Sequence, residues 1–292
     1  MAEIMRFVVT SEYDGVKAGR YLRTFCKLSA RTLSLLKRQE GAITADGKLL
    51  RTVDFLKEGS IVEIKLPEEN NSIVPIEGEL DILFEDSHLL IVNKSADMPV
   101  HPVKTHQTDT LANIIAYISS QRESEFVFRA VNRLDRDTTG IVIIAKDRHT
   151  ASVMQNLKVK KLYYAVCHGT TDARGTINEP IALAEKSKIV RTVREDGQES
   201  ITHYSKVEDL KDSSLVELLL ETGRTHQIRC HMAHLSHPLY GDDLYGGSLE
   251  HIKRQALHCH RIEFVHPFTN EAIKIECPMP NDMLELIKIL KI

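Results

Sequence analysis

The ten residues Val131–Gly140, VNRLDRDTTG, crowd Asn132, Arg133, Asp135, Arg136 and Asp137 directly ahead of the apolar run GIVIIA. An extended backbone here places Arg133, Asp135 and Asp137 on one side and Asn132, Leu134 and Arg136 on the other. A guanidinium beside Asp135 would keep that carboxylate ionised even in a half-buried cleft, because opposite charge offsets desolvation. An aspartate held in this way suits nucleophilic attack or charge stabilisation better than proton donation. The competing reading is a solvated turn with surface ion pairs worth about 0–1 kcal/mol each, and Arg136 and Asp137 are assigned to it. A glycoside-type hydrolase would need a second acid near Asp135, and Asp137 is the nearby candidate.

A second stretch, ETGRTHQIRCHMAHLSHP at Glu221–Pro238, joins an apolar strand to an amphipathic helix. Thr225 is placed to cap that helix, with Arg224, His226 and Arg229 around its first turn. Two arginines at such a corner make a receptor for an anion or a carboxylate, since Arg offers paired, planar hydrogen bonds. The same run spaces His231, His234 and His237 three apart, with His258, Cys259 and His260 later. Zinc hydrolases usually pair histidines at i and i+4 around a glutamate; here no carboxylate appears before Asp242 and Pro238 ends the helix, so no metal is expected. A third stretch, KKLYYAVCHG, alternates Tyr163 and Tyr164 across a strand. One ring belongs to the core and the other can stack on a base, a contact worth about 1–3 kcal/mol; alternation does not say which. Glycine-rich phosphate loops and a serine nucleophile elbow are absent.

These residues must be positioned by elements that the apolar pattern outlines. Strand-like runs (HLLIVNK, GIVIIAK, LYYAVCHG, LVELLLE, RIEFVHP) alternate with hairpin signals at Glu195–Gly197 and Pro267–Asn270. Helical spacing falls at Leu111–Ile118, His149–Leu157 and Thr225–Leu235. Strands in hairpins with irregularly inserted helices predict an α+β domain with a mixed, mostly antiparallel sheet over residues 80–292. Residues 67–79, PEENNSIVPIEGE, read as a linker. Residues 1–66 form a small α/β module: helical spacing from Gly19 to Glu40 breaks near Leu28–Ser29, where Ser29 can cap a second helix, and a hairpin turns at Asp46–Gly47.

The chain has 292 residues, a net charge of −3 and five scattered cysteines without a CxxC pair. An odd, dispersed set argues against a disulfide framework. No run is long enough to span a membrane and the first residues do not read as a signal peptide, so a cytoplasmic protein is expected; lacking a long exposed apolar helix, it should be a monomer. The overall charge does not suggest nucleic acid, but its distribution does. Residues 1–51 carry ten Lys and Arg against five acids, and an electrostatic footprint is local.

The first module resembles the ribosomal-protein-type αL RNA-binding motif, through Arg20-Tyr-Leu, Leu28-Ser-Ala-Arg-Thr32, Asp46-Gly-Lys and Gly59-Ser-Ile-Val. That resemblance implies RNA contacts from Arg20, Arg23, Arg31, Lys37 and Arg38; it departs from the motif at Arg23 and Asp46. From about residue 80 onward the chain resembles the RluA/RluD-type pseudouridine synthases. The shared motifs are Arg133-Leu134-Asp135 with Thr138-Thr139-Gly140, then Lys161-x-Tyr163-x-Ala165, Gly223 to Arg229, and Leu257-His258-Cys259. This resemblance implies cofactor-independent isomerisation of uridine in RNA, with ribosomal RNA of the large subunit favoured over transfer RNA. It makes Asp135 the essential aspartate, Tyr163 the ring against the target base and Arg229 the partner of Asp135. Arg133 and Leu257 become substrate-binding residues. Asn132 and Thr139 stand where the family commonly has His and Ser, and Ser95 and Asp97 replace a usual Pro and Gly. A non-catalytic RNA-binding or ribosome-assembly factor is the alternative, against which Asp135 argues.

Overall fold

A computed structural model describes residues 4–66, 72–122 and 125–292. The part of the expected linker at residues 67–71 lies outside them. The chain divides into two compact units, Met1–Ser72 with Asp147–Asn156, and Ile73–Lys146 with Leu157–Ile292.

In the first unit β1 (Ile4–Val8) is followed by α1 (Ala18–Thr24), α2 (Ala30–Leu36), β2 (Ile43–Ala45), β3 (Lys48–Leu49) and β4 (Ile61–Lys65). The sheet order is β1-β4-β2-β3. The Ser29 hydroxyl accepts the Thr32 amide at 3.1 Å and so caps α2, which explains why the helical pattern breaks there. Asp46 and Gly47 take φ of 50° and 77°, the paired left-handed conformation of a two-residue hairpin. Tyr21, Leu22, Leu36, Val62 and Ile64 are fully buried together, so this unit has a core of its own. Arg20, Arg23, Arg31, Lys37 and Arg38 are all exposed on or just beyond α1 and α2.

The second unit begins at Ile73, within the expected linker of residues 67–79, where the Asn113 amide donates to the Val74 carbonyl at 2.8 Å and Ile76 N–H to the Asn113 carbonyl at 3.1 Å. It continues through β5 (Asp81–Glu85), β6 (Leu89–Lys94), α3 (Leu111–Ser120), β7 (Arg129–Ala130) and β8 (Thr139–Ala145). After α4 (Arg148–Gln155), which groups with the first unit, come β9 (Lys160–His168), β10 (Arg174–Asn178), β11 (Ile181–Leu183), β12 (Arg191–Val193), β13 (Ile201–Leu210) and β14 (Ser213–Leu220). The chain ends with α5 (Gln227–His234), β15 (Leu257–Val265), β16 (Ala272–Glu276) and α6 (Asn281–Ile289). One large sheet runs β10-β13-β14-β9-β15-β8-β6-β5, with β16 on β15 and β7 on β8. Among the described residues its pairs are antiparallel except β15 with β8, so the mixed, mostly antiparallel α+β architecture is as expected. No helix of the described residues is long and apolar enough to cross a membrane.

The seven residues of β8 are all buried, as a strand covered on both faces requires. α6 was not legible in the apolar pattern. It buries Met283, Leu286 and Ile287 with Leu290 against Val166, Leu215 and Tyr240, a face of i, i+3, i+4 and i+7 spacing on one short helix. Thr225 is not the cap of α5. His226 occupies that position with φ 56° and no side-chain cap bond. The Gln227 carboxamide reaches back instead: its oxygen accepts from Arg224 N–H at 2.9 Å and Thr222 Oγ1 at 3.0 Å.

The parallel pair sets a tight constraint. Gly140 has φ 112°, and a Cβ there would lie 2.2 Å from the Cys259 carbonyl oxygen. Gly140→Ala should therefore cost about 4 kcal/mol or more, because both backbone conformation and strand spacing oppose it. Urea unfolding followed by circular dichroism checks this; an unchanged midpoint and slope would show that β8 and β15 can part freely.

Candidate active site

The loop between β7 and β8 carries Asp135, and its backbone is held from several directions. Asn132 acts as an extra rung beside β8: its amide nitrogen donates to the Ile141 carbonyl at 3.1 Å and its oxygen accepts the Ile143 amide at 2.8 Å. The loop is not extended throughout. Thr138 N–H bonds the Asp135 carbonyl at 3.1 Å, closing a turn that carries Arg136 and Asp137 away from Asp135. Those two pair with each other at 3.0 Å, half-exposed, and Asp137 does not line the Asp135 cavity. The second carboxylate that a glycosidase needs is missing there.

Two buried cations take the carbonyls of this turn. Lys94 donates to Ser95, Met98 and Arg136 oxygens at 2.6, 2.8 and 2.9 Å. Burial pushes its pKa down to about 7, against the favourable charges of Asp137 and Asp135. Arg254 donates to the Asp137 oxygen at 3.2 Å and is itself clamped by Asp282 at 2.6 and 2.8 Å. With three carbonyls on Lys94, the segment that carries Ser95 and Asp97 is fastened to the loop that carries Asp135.

Asp135 is half-buried and Arg229 of α5 reaches it, Nη1 to Oδ2 at 3.1 Å. The rest of the Arg229 guanidinium is engaged by Asp242, Nε to Oδ2 at 2.6 Å and Nη2 to Oδ1 at 2.7 Å. Burial works against the Arg229 charge, but the Asp242 hydrogen bonds and the Asp242 and Asp135 charges raise its pKa overall. Asp242 is fully buried, and sequence reasoning noted it without giving it a role. Its signal was weak: one of two adjacent acids, Asp242 and Asp243, in a short stretch between Gly241 and the pair Gly246 and Gly247. Those glycines have a reason. A Cβ at Gly241 or Gly247 would fall 1.9 or 1.8 Å from a backbone oxygen, so the loop folds tightly enough to bring Asp242 under Arg229. Tyr245, also unforeseen, lies over the Arg229 guanidinium at 5.1 Å.

Asp135, Arg229, Tyr163, Arg133 and Leu257 line one small cavity of about 60 Å³, together with Thr138, Leu220, Arg224 and His226. The five catalytic and substrate-binding residues expected from sequence are thus brought together from a loop, β9, β15 and α5. Arg133 stands exposed at the rim and Leu257 is buried. The two faces of β9 separate the two tyrosines. Tyr163 is buried in the cavity wall opposite Cys259, and burial raises its pKa well above the usual range. Tyr164 stacks instead on His260 at 3.8 Å. The histidines weighed as metal ligands do not converge. His231 uses both nitrogens, facing Thr202 Oγ1 at 2.8 Å and the Glu179 carbonyl at 3.0 Å. His258 faces Thr139 Oγ1 at 2.8 Å, and burial lowers its pKa to about 4.

A family model described as RNA pseudouridylate synthase matches residues 88–234, which include Asp135, Tyr163 and Arg229. The RNA pseudouridine synthase YhcT of Bacillus subtilis, described as uncharacterized, is 40% identical over 293 residues, covering 97% of this chain and 96% of its own. Ribosomal large subunit pseudouridine synthase D of Pseudomonas aeruginosa is 34% identical over 272 residues, covering 87% and 85%. The solved structure of human RNA pseudouridylate synthase domain containing 4 shares the fold, with a TM-score of 0.60 at 23% identity, covering 72% of this chain and 92% of that one. Fold, motifs and relatives define an enzyme that modifies RNA. The chain belongs to the RNA pseudouridylate synthase family, of RluA/RluD type.

Asp242→Asn leaves the buried Arg229 without its charged clamp. We expect a loss of about 3–5 kcal/mol of stability and a lower turnover, measured by urea unfolding and by pseudouridine formation in the same preparations. Wild-type values in both would show that Arg229 does not depend on Asp242.

Proposed function

We propose that this protein, acting as a cytoplasmic monomer, isomerises uridines of large-subunit ribosomal RNA to pseudouridine without a cofactor, using Asp135. The observation that carries the reading is the meeting of Asp135, Arg229 and Tyr163 in one cavity. In the reaction the N1–C1′ bond breaks, a C5–C1′ bond forms, the C5 proton leaves and N1 gains one. No atom or electron is gained or lost overall, so a positioned carboxylate and a pocket that retains the base meet the demand. Arg229 occupies Oδ2 of Asp135, and Oδ1 has no partner among the described residues. Oδ1 is the oxygen that attacks or stabilises the ribosyl centre, or takes the 2′ proton. The Tyr163 ring holds the uracil while it turns.

The cavity of about 60 Å³ is far below the roughly 300–1,000 Å³ of typical small-molecule sites. A shallow wall suits a nucleotide flipped out of a polymer, whose remaining atoms supply the rest of the enclosure. Unstacking costs a few kcal/mol and is least in loops. Arg20, Arg23, Arg31, Lys37 and Arg38 supply phosphate contacts that position the RNA without reading it; among the described residues none of the five is in an ion pair. Preference for ribosomal RNA rests on the relatives named for large-subunit synthase D.

Asp135→Asn should lower pseudouridine formation by about 10³-fold or more, equivalent to about 4 kcal/mol of barrier, while RNA binding stays within a few-fold. Carbodiimide mapping of ribosomal and transfer RNA from cells lacking the protein, with each variant added back, reads activity and target together; turnover by the variant would remove Asp135 from the chemistry. Replacing Arg20, Arg23, Arg31, Lys37 and Arg38 together by Gln should weaken RNA binding about ten-fold or more near 0.1 M salt and flatten its salt dependence. An unchanged salt slope in a filter-binding titration would make that surface a solvated face only.

A further inference from the structure

His226 adopts φ 56° and ψ 21° at the start of α5, a left-handed conformation uncommon for a residue other than glycine. Such residues concentrate at functional sites, where the surrounding structure holds them. The side chain is only 11% exposed, and each ring nitrogen faces one group. Nδ1 lies 3.0 Å from the Tyr245 hydroxyl, and Nε2 lies 3.8 Å from Oδ2 of Asp135.

Tyr245 decides where the imidazole carries its proton. Its hydroxyl oxygen accepts the Arg191 amide at 2.9 Å, and burial pushes its pKa up to about 12, so the hydroxyl keeps its hydrogen. Among the described residues no carbonyl or carboxylate takes that hydrogen; the acceptor within reach is Nδ1 of His226. A hydroxyl that donates to Nδ1 leaves the ring proton on Nε2. Nε2–H then points at the catalytic carboxylate.

We propose that His226 is a positioning residue for Asp135: clamped by Tyr245 as the neutral Nε2–H tautomer, it gives Oδ2 a second donor beside Arg229 and leaves Oδ1 to act on the ribose. This rests on the catalytic reading of Asp135. The 3.8 Å gap is longer than a hydrogen bond and closes when the nucleotide fills the cavity, as catalytic hydrogen bonds commonly tighten in the complex. The neutral form matters because an imidazolium would turn the contact into an ion pair and blunt the carboxylate. Burial disfavours that charged form most, and Arg229 on α5 and Arg191 on β12 add to it, against Asp135 on the loop and Asp242 beyond α5. Protonation would also put a hydrogen on Nδ1, and Tyr245 would lose its acceptor. Activity therefore falls on the acid side as His226 gains its proton.

The test uses the full chain and total RNA from cells lacking the protein. Nitrogen-15 NMR of the wild type at neutral pH should show His226 protonated on Nε2 alone, and Tyr245→Phe should release it to a mixture of tautomers. His226→Asn tolerates the left-handed backbone but is too short to reach Asp135; its rate at saturating enzyme should fall about ten-fold or more, with half-saturation changed little. His226→Gln, which presents a neutral N–H at longer reach, should recover most of that rate and lose the acid limb of the wild-type pH profile. A wild-type resonance pattern with the proton on Nδ1 would overturn the proposal, as would a His226→Asn rate equal to wild type while Asp135→Asn is inactive. Turnover by Asp135→Asn would instead overturn the reading of Asp135 itself. The NMR result decides the tautomer even if the His226 variants fold poorly.

Discussion

One buried guanidinium organises the site. Arg229 places two N–H groups on Asp242 and a third on Asp135, so a single planar cation sets the distance and direction of the Asp135 carboxylate. A buried arginine with one carboxylate is poorly compensated, whereas with a bidentate clamp its geometry is determined before it meets the second. Asp242 fixes the arginine and the arginine fixes Asp135. The same cation carries the Tyr245 ring over its face, and Tyr245 in turn reaches His226. Carboxylate, guanidinium, phenol and imidazole form one connected set, each member oriented by another.

The Asp135 loop needs a further constraint, because a carboxylate can be held only as firmly as its backbone. Lys94 and Arg254 lie beneath the turn and draw the Arg136 and Asp137 carbonyls inward. Asn132 imitates a strand on its other side. Inward carbonyls leave the side chains of Arg133 and Asp135 directed at the cavity, which is how a tight turn presents charge without exposing unsatisfied backbone. These cations are buried, and they are matched by carbonyl dipoles and, for Arg254, by Asp282.

The sheet explains why these pieces meet. β8, β15 and β9 are neighbours at its middle, and the close pairing of β8 with β15 at Gly140 sets the Asp135 loop beside Leu257 and one strand from Tyr163. α5 follows β14 on the other side of β9 and returns Arg229 to the same point. The first unit has its own core and exposes its cations. The exposed cations of α1 and α2 and the Asp135 cavity thus belong to different parts of the chain.

The sequence alone determined the residue types and local devices: VNRLDRDTTG and GRTHQIR, the Ser29 cap, the Asp46–Gly47 turn and the strand runs around Val142 and Leu218. These depend on neighbours within a few positions, where spacing carries the physics. Alternation did not separate Tyr163 from Tyr164, and only the family resemblance chose Tyr163, because alternation gives two faces without saying which lies beside Asp135. The sequence misplaced the α5 cap, because Gln227 folds back on Thr222 and Arg224 and lets His226 turn left-handed. It gave no role to Asp242, no place to α6 and no hint that Tyr245 sets a tautomer. Those depend on partners 13 residues apart for Arg229 and Asp242, 19 for His226 and Tyr245, and 94 for Arg229 and Asp135. A buried charge is stable only with such partners, and packing of the sheet alone decides which residues they are.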